Sequence, residues 1–135
     1  DRLRKKITHH LKDLIQVENF QMEDAKTAIF AAGITARAAK TAVEKLRKSG
    51  KKIGLIRPLT IWPFPDEAIK EYFKDVNTII VPELSQGQML GEIQRVMGGI
   101  WNINTSKTKR IIPIQKCNGE LITPDDIVNK VKEVR

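Results

Sequence analysis

The chain has 135 residues, 41% of them hydrophobic, with 24 basic and 16 acidic side chains and a formal net charge of +8. That length supports one domain with a core of its own, without help from disulfides or metal. No apolar run approaches the roughly 20 residues that span a bilayer, the charged N-terminus DRLRKKITHHLKDL is not expected to act as a signal peptide, and the single cysteine, Cys117, excludes an internal disulfide or a cluster held by this chain alone.

Leu3, Ile7, Leu11 and Leu14 fall on one helical face and predict an amphipathic helix over 3–16. His9 and His10 are neighbours on it, so their side chains diverge by about 100° and do not share a metal. Val17 to Asp24 reads as an acidic connector, giving a first region of 1–24 and an α/β domain of 25–135. The chain starts at Asp1 without a methionine and is expected to be part of a longer protein.

Thr27 to Ala32 predicts a short buried strand that Gly33 breaks. A helix then runs from Thr35 to Ser49, with Ala38, Ala39, Ala42, Val43 and Leu46 inward and Gly50 as its C-terminal cap. Lys52 to Ile56 is the next strand, so the three elements form a βαβ unit with parallel pairing. The turn at Ala31 to Ala36 carries one glycine and matches neither GxGxxG nor the GxxxxGK[ST] loop, which makes it a tight turn rather than a nucleotide site.

A second round follows. Asp66 to Phe73 is helical, with Ala68, Ile69, Tyr72 and Phe73 inward. Thr78 to Val81 is apolar and β-branched and is expected to lie centrally. Gly87 to Met97 is a helix with an apolar stripe of Leu90, Ile93, Val96 and Met97, stopped by Gly98 and Gly99. Ile100 to Ile103 and Arg110 to Gln115 are further strands, and Pro113 puts the latter at an edge. Thr123 as N-cap, Pro124, Asp125 and Asp126 mark the start of the last helix, with Ile122 and Ile127 at the spacing of a hydrophobic staple. The fold class is therefore α/β, built on parallel βαβ pairing.

Two loops carry the unusual residues. In Arg57-Pro58-Leu59-Thr60-Ile61-Trp62-Pro63-Phe64-Pro65, Trp62 and Phe64 stand between prolines as a rigid apolar knob, and Arg57 has the chemistry to pair with a carboxylate or phosphate across an interface. The knob either caps the core's own edge or makes a domain or subunit contact. In the other loop, Glu83 ends the expected central strand beside Ser85, Gln86 and Gln88, where an open α/β sheet offers a crevice. No partner acid, base or metal cluster accompanies Glu83, so hydrogen bonds to a neighbouring domain are expected of it rather than catalysis. Arg57, Pro58, Trp62, Phe64, Glu83, Ser85, Gln86 and Gln88 are the interface candidates. No residue is assigned to catalysis, a cofactor or a metal. Cys117, in a strand-like setting, reads as a small packed residue, and a lone thiol fits a cytoplasmic protein. The basic clusters at Arg2–Lys12, Arg37–Lys52 and Lys107–Lys116 read as solvated surface, since they lack interleaved aromatics.

Four stretches together resemble a family. They are Ala32-Gly33-Ile34-Thr35-Ala36-Arg37-Ala38, Leu59 to Pro65, Val81-Pro82-Glu83-Leu84-Ser85-Gln86-Gly87-Gln88, and NGELITPDD ending at Asp126. In this order they are similar to the C-terminal part of the alpha subunit of 2-oxoacid:ferredoxin oxidoreductases, the 2-oxoglutarate type foremost. Ser85 stands where that family carries asparagine. The resemblance implies a three-layer domain like the transketolase C-terminal domain, at 25–135, with helices on both sides of a small, mostly parallel sheet and room for one antiparallel edge strand. It implies a parent enzyme that oxidatively decarboxylates a 2-oxoacid to an acyl-CoA and reduces ferredoxin, using thiamine diphosphate, Mg, iron–sulfur clusters and coenzyme A held elsewhere than in this chain. Its partners would be the N-terminal part of the same alpha subunit, a beta subunit and gamma and delta subunits, with no membrane. This chain alone would be inactive, a structural and assembly domain. The rival readings are a freestanding basic nucleic-acid-binding module, resting on charge alone, and the equivalent domain of another thiamine enzyme such as a transketolase or a pyruvate dehydrogenase beta subunit.

Overall fold

Parallel pairing favours apolar strands that are covered on both faces, and Thr27–Phe30, Ile53–Pro58 and Thr78–Glu83 are the buried ones. The structure, a computed structural model, describes residues 2, 16–84, 87–98, 109–116 and 119–134. In chain order the elements are β1 (Val17–Phe20), β2 (Thr27–Phe30), α1 (Gly33–Lys48), β3 (Ile53–Pro58), α2 (Asp66–Phe73), β4 (Thr78–Glu83), α3 (Gln88–Gly98), β5 (Arg110–Gln115) and α4 (Pro124–Glu133). They form a five-stranded sheet of order β1-β3-β2-β4-β5. β3, β2, β4 and β5 are mutually parallel, and β1 runs antiparallel to β3.

The sheet separates two apolar layers. One holds Ile29, Leu55 and Ile80 of the strands against Ala39, Val43 and Leu46 of α1 and Ile127 and Val131 of α4. The other holds Phe30, Ile56 and Ile79 against Ile69 and Phe73 of α2 and Ile93 and Met97 of α3. This is the expected three-layer arrangement. Along α1 the inward face starts earlier than the pattern suggests: Thr35 and Ala36 are buried, and Ala38 is only half-buried. Gly50, at φ +89°, closes that helix. Its N–H donates to Arg47 O at 3.0 Å, and Lys51 N–H donates to Leu46 O at 3.1 Å, the bonds of a left-handed C-terminal cap. At α4 the Thr123 hydroxyl accepts from Asp126 N–H at 3.2 Å while Asp126 Oδ2 accepts from Thr123 N–H at 2.8 Å. This reciprocal capping box, with Ile122 and Ile127 buried beside it, stabilises the helix start by about 1–2 kcal/mol.

Three expectations need correction or placement. Val17 to Phe20, read as connector, is a strand: Glu18 registers with Arg57, and Phe20 with Leu55. VENF is too short to show a period, and only its pairing with β3 makes it β. β4 is interior and buried along its whole length, but the middle of the five belongs to β2. Two wholly apolar strands cannot be ranked for centrality from composition. Among the described residues β5 takes an edge, the position Pro113 suits, and it runs parallel; the antiparallel edge is β1. The helix expected over 3–16, the strand at Ile100 to Ile103, His9, His10, Ser85, Gln86 and Cys117 lie outside the described residues.

Two side chains join elements that hydrogen-bonded ladders leave separate. Arg47 of α1 donates from Nε to Ile53 O at 2.8 Å, and from Nη2 to Gln21 O at 2.6 Å and to Asp24 Oδ1 at 2.7 Å. It thereby holds the β1–β2 turn, where Gln21 sits at φ +59°, onto α1 and β3. Lys109 donates from Nζ to the carbonyls of Phe73, Lys74 (2.9 Å) and Val76 (2.7 Å), so an ammonium closes the C-terminal end of α2.

The turn held by Arg47 presses on Gly54. A Cβ there would lie 2.5 Å from Met22 Sδ and 2.8 Å from Gln21 O, which is backbone. Gly54→Ala is expected to cost about 1–3 kcal/mol, read as a lowered urea midpoint. An unchanged midpoint would show that the turn moves away freely.

Three carboxyls are held below the ordinary Asp value: Asp24 mainly by its hydrogen bond from Arg47, Asp66 by that from Arg95, and Asp126 by that from Lys116. A folded value below the unfolded one adds stability that is full above the unfolded pKa of about 4 and is lost as pH falls through the folded value. Urea midpoints should therefore drop below about pH 4, and Asp66→Asn should flatten that drop. An acid limb identical in wild type and variant would contradict the assignment.

Candidate functional site

Because β2, β3, β4 and β5 run the same way, the loops that follow them open at one edge of the sheet. β2 lies between β3 and β4, so the chain leaves it to one side and returns to the other. That is a topological switch point, where open α/β sheets form a crevice. α1 and α3 begin on either side of it.

Glu83 is the last residue of β4 and is 5% exposed. Its Oε2 accepts from Met89 N–H at 2.9 Å and its Oε1 from Leu90 N–H at 3.2 Å. The carboxylate therefore caps the N-terminus of α3, whose unpaired N–H groups and dipole favour a negative charge there. Both oxygens of Glu83 thus have a partner within the chain, a local role that the expected contact with a neighbouring domain did not include. Gly87, at φ +94°, lets the loop double back into α3, and Gln88 opens that helix exposed.

The expected knob divides. Phe64 turns inward, its ring 5.8 Å from that of Phe30 and covered by the Arg95 guanidinium at 5.8 Å. Arg95 is fixed in turn by two hydrogen bonds to Asp66, at 2.9 and 2.8 Å. Trp62 turns outward and is 75% exposed, with Leu59 at 46% and Ile61 at 50%. The loop's first residues are tied down: Leu59 N–H donates to Gln16 O at 2.9 Å, and Gln16 N–H to Thr60 Oγ1 at 3.2 Å. Pro58 is buried in the pairing with Val17. Arg57 lies 3.7 Å from Glu18 Oε2 through Nη1, while its Nε is buried without a partner among the described residues. It borders a groove of about 420 Å³ shared with Arg37 and Lys40.

Sequence reading missed the other apolar residues of this edge. Ile34, in the first turn of α1, and Leu121, just before α4, are each 56% exposed. With Leu59, Ile61 and Trp62 they are the exposed large hydrophobic side chains among the described residues, and all follow carboxyl ends of parallel strands. The signal was available: each is a large apolar residue in a non-periodic segment behind a strand. The opposite edge is charged, with both signs: Glu23, Asp24, Glu71 and Asp75 border it beside several lysines. Lys26, Lys51, Lys52 and Arg110 line a pocket of about 300 Å³ that Val131 and Val134 of the α4 end also reach. Among the described residues no three His, Cys, Asp or Glu side chains gather to hold a metal, and no helix is long and apolar enough to cross a membrane.

Comparison with known proteins gives a consistent result. Residues 25–127 match the pyruvate:ferredoxin oxidoreductase core domain II. The ketoisovalerate oxidoreductase subunit VorB of Methanothermobacter marburgensis is 35% identical over 120 residues, which is 89% of this chain and 32% of that protein. The 2-oxoglutarate synthase subunit KorA of the same organism is 33% identical over 130 residues, 96% of this chain and 32% of that protein. This chain thus spans about a third of the length of these curated relatives. The structure of 2-oxoglutarate:ferredoxin oxidoreductase from Magnetococcus marinus, with 2-oxoglutarate, coenzyme A and succinyl-CoA bound, superposes at a TM-score of 0.76 and 26% identity over 98% of this chain and 22% of that one. A split-gene transketolase shares the fold at a TM-score of 0.68 and 16% identity, over 86% of this chain and 40% of that one.

The Glu83 cap is open to direct test. Glu83→Ala leaves the Met89 and Leu90 N–H groups without their acceptor and is expected to cost about 1–2 kcal/mol, with faster hydrogen exchange at those two amides. Glu83→Gln, which keeps one acceptor oxygen, should fall between. Unchanged exchange in both variants would show that the cap contributes nothing.

Proposed function

This chain belongs to the pyruvate:ferredoxin oxidoreductase core domain II family, and from that premise we propose that it serves as the C-terminal structural and assembly domain of the alpha subunit of a thiamine-diphosphate-dependent 2-oxoacid:ferredoxin oxidoreductase. The carrying observation is the pairing of coverage with chemistry. Relatives of this enzyme class align along 89% and 96% of the chain while extending to about three times its length. Yet the switch-point carboxylate, where an α/β catalyst would place its working group, is spent on capping α3.

On this reading the parent enzyme oxidatively decarboxylates a 2-oxoacid with coenzyme A and passes electrons to ferredoxin. 2-Oxoglutarate is the proposed substrate, supported by the KorA similarity and by the ligands of the Magnetococcus structure; the VorB similarity favours a branched 2-oxoacid as the competing choice. The partners are the remainder of the alpha subunit, a beta subunit and gamma and delta subunits, in the cytoplasm. The donors described at the carboxyl edge do not suit a diphosphate–magnesium pair: Glu83 has both oxygens engaged, and the neighbouring exposed residues are Ile34, Leu59, Ile61 and Trp62. Thiamine chemistry, clusters and coenzyme A contacts are assigned to the rest of the enzyme. The nucleic-acid alternative rests on charge alone and gains nothing from the family match.

The test is reconstitution. The 135 residues alone should not reduce a viologen dye with 2-oxoglutarate and coenzyme A, whereas the complete alpha subunit with its beta subunit should. Dye reduction by the isolated chain would overturn the assembly role, and an inactive complete enzyme with every 2-oxoacid tried would overturn the enzyme assignment.

A further inference from the structure

We infer that the carboxyl edge of this domain is one apolar docking face, anchored on Trp62, and that its occupant is the remainder of the same polypeptide rather than another subunit. This rests on the assembly role proposed above and adds to it which part of the enzyme covers the edge.

The two edges differ. The exposed large hydrophobic side chains among the described residues (Ile34, Leu59, Ile61, Trp62, Leu121) all lie where parallel strands end, while charged residues of both signs, among them Lys26, Lys52, Asp24 and Asp75, gather where those strands begin. Pro58 to Pro65 contains no charged residue, and α1 has no acidic side chain in its first turn. An indole 75% exposed in water is unfavourable, since an aromatic side chain has roughly 150–250 Å² to bury. The loop holding it is not free to fold the ring away. Leu59 and Thr60 both donate to Gln16 O, and Phe64 is gripped between Phe30 and Arg95. A knob fixed at both ends loses little entropy on docking, the condition for an interface anchor.

The tether selects the occupant. Five partly exposed side chains present a few hundred Å² on this side, which is marginal against the roughly 500 Å² per partner that a freely associating subunit buries. A tethered domain needs less, because its effective concentration is about millimolar. The tether exists on the proposed reading: relatives extend over about three times the length of this chain. The occupant should offer a shallow apolar cleft with an acceptor for the indole N–H.

The experiment uses the complete alpha subunit in its purified complex, as wild type, Trp62→Ala, Ile61→Ser and Lys52→Ala, with Lys52→Ala as the control at the opposite edge. Hydrogen exchange is read at Ile61 and Trp62 (the Leu59 and Thr60 amides already donate to Gln16 O), in β2 to β4 and across the rest of the alpha subunit, and subunit composition by native mass spectrometry. In the wild type the loop amides should be protected. Trp62→Ala and Ile61→Ser should expose them and a matching segment elsewhere in the alpha subunit by roughly 10- to 30-fold, with β2 to β4 still protected and the other subunits still bound; Lys52→Ala should match wild type. Wild-type loop amides that exchange as if in open solvent would overturn the docking face. Loss of another subunit, with exchange elsewhere in alpha unchanged, would overturn the choice of occupant. An equal effect of Lys52→Ala would overturn the role of the edge. Failure of the enzyme assignment is read separately, as wild-type complex without 2-oxoacid-dependent dye reduction.

Discussion

Parallel pairing about β2 is the constraint from which the rest of this molecule follows. A strand with parallel neighbours on both sides needs crossovers, and the crossovers must cover both faces. That accounts for two apolar layers built from strands so nearly free of polar residues. It also gathers the strand-to-helix loops on a single margin. Topology also keeps the margin that exposes apolar side chains apart from the charged one: strand ends and strand starts are separated by the length of the sheet itself.

Within that margin, similar-looking residues do opposite work because each answers to a different neighbour. Phe64 and Trp62 stand two positions apart in a proline-bounded loop, yet Phe30 and Arg95 draw the first inward and nothing described receives the second. Glu83 is an acid in a crevice, which invites a catalytic reading. Five residues on, α3 begins with N–H groups that need an acceptor, and the carboxylate meets that need. A buried charge is tolerable when fixed dipoles of this kind replace its water.

Much of the architecture was legible in the residues because the signals were local. Gly50 and the Thr123 capping box declared helix ends, the run TIIV declared a strand buried on both sides, and Pro113 declared an edge. What escaped was set by distant partners. β1 exists through its register with β3, and its four residues carry no period of their own. Gly54 looked like an ordinary strand residue until the backbone of Gln21 came to rest on it. At the margin, the loops stood out by composition, whereas the inward turn of Glu83 and Phe64 depended on α3 and β2. Ile34 and Leu121 went unnoticed because helix starts are scanned for caps and charges, and rarely for grease.

Pro113 bears on how this sheet meets its neighbours. It has no N–H to offer a further strand, and it sits midway along one rim of the sheet. At the other rim β1 has only four residues, two of them the hydrophilic Glu18 and Asn19. Neither flank is a good template for adding a foreign strand. Copies of this sheet brought close together are thus kept from stitching side to side into fibrils.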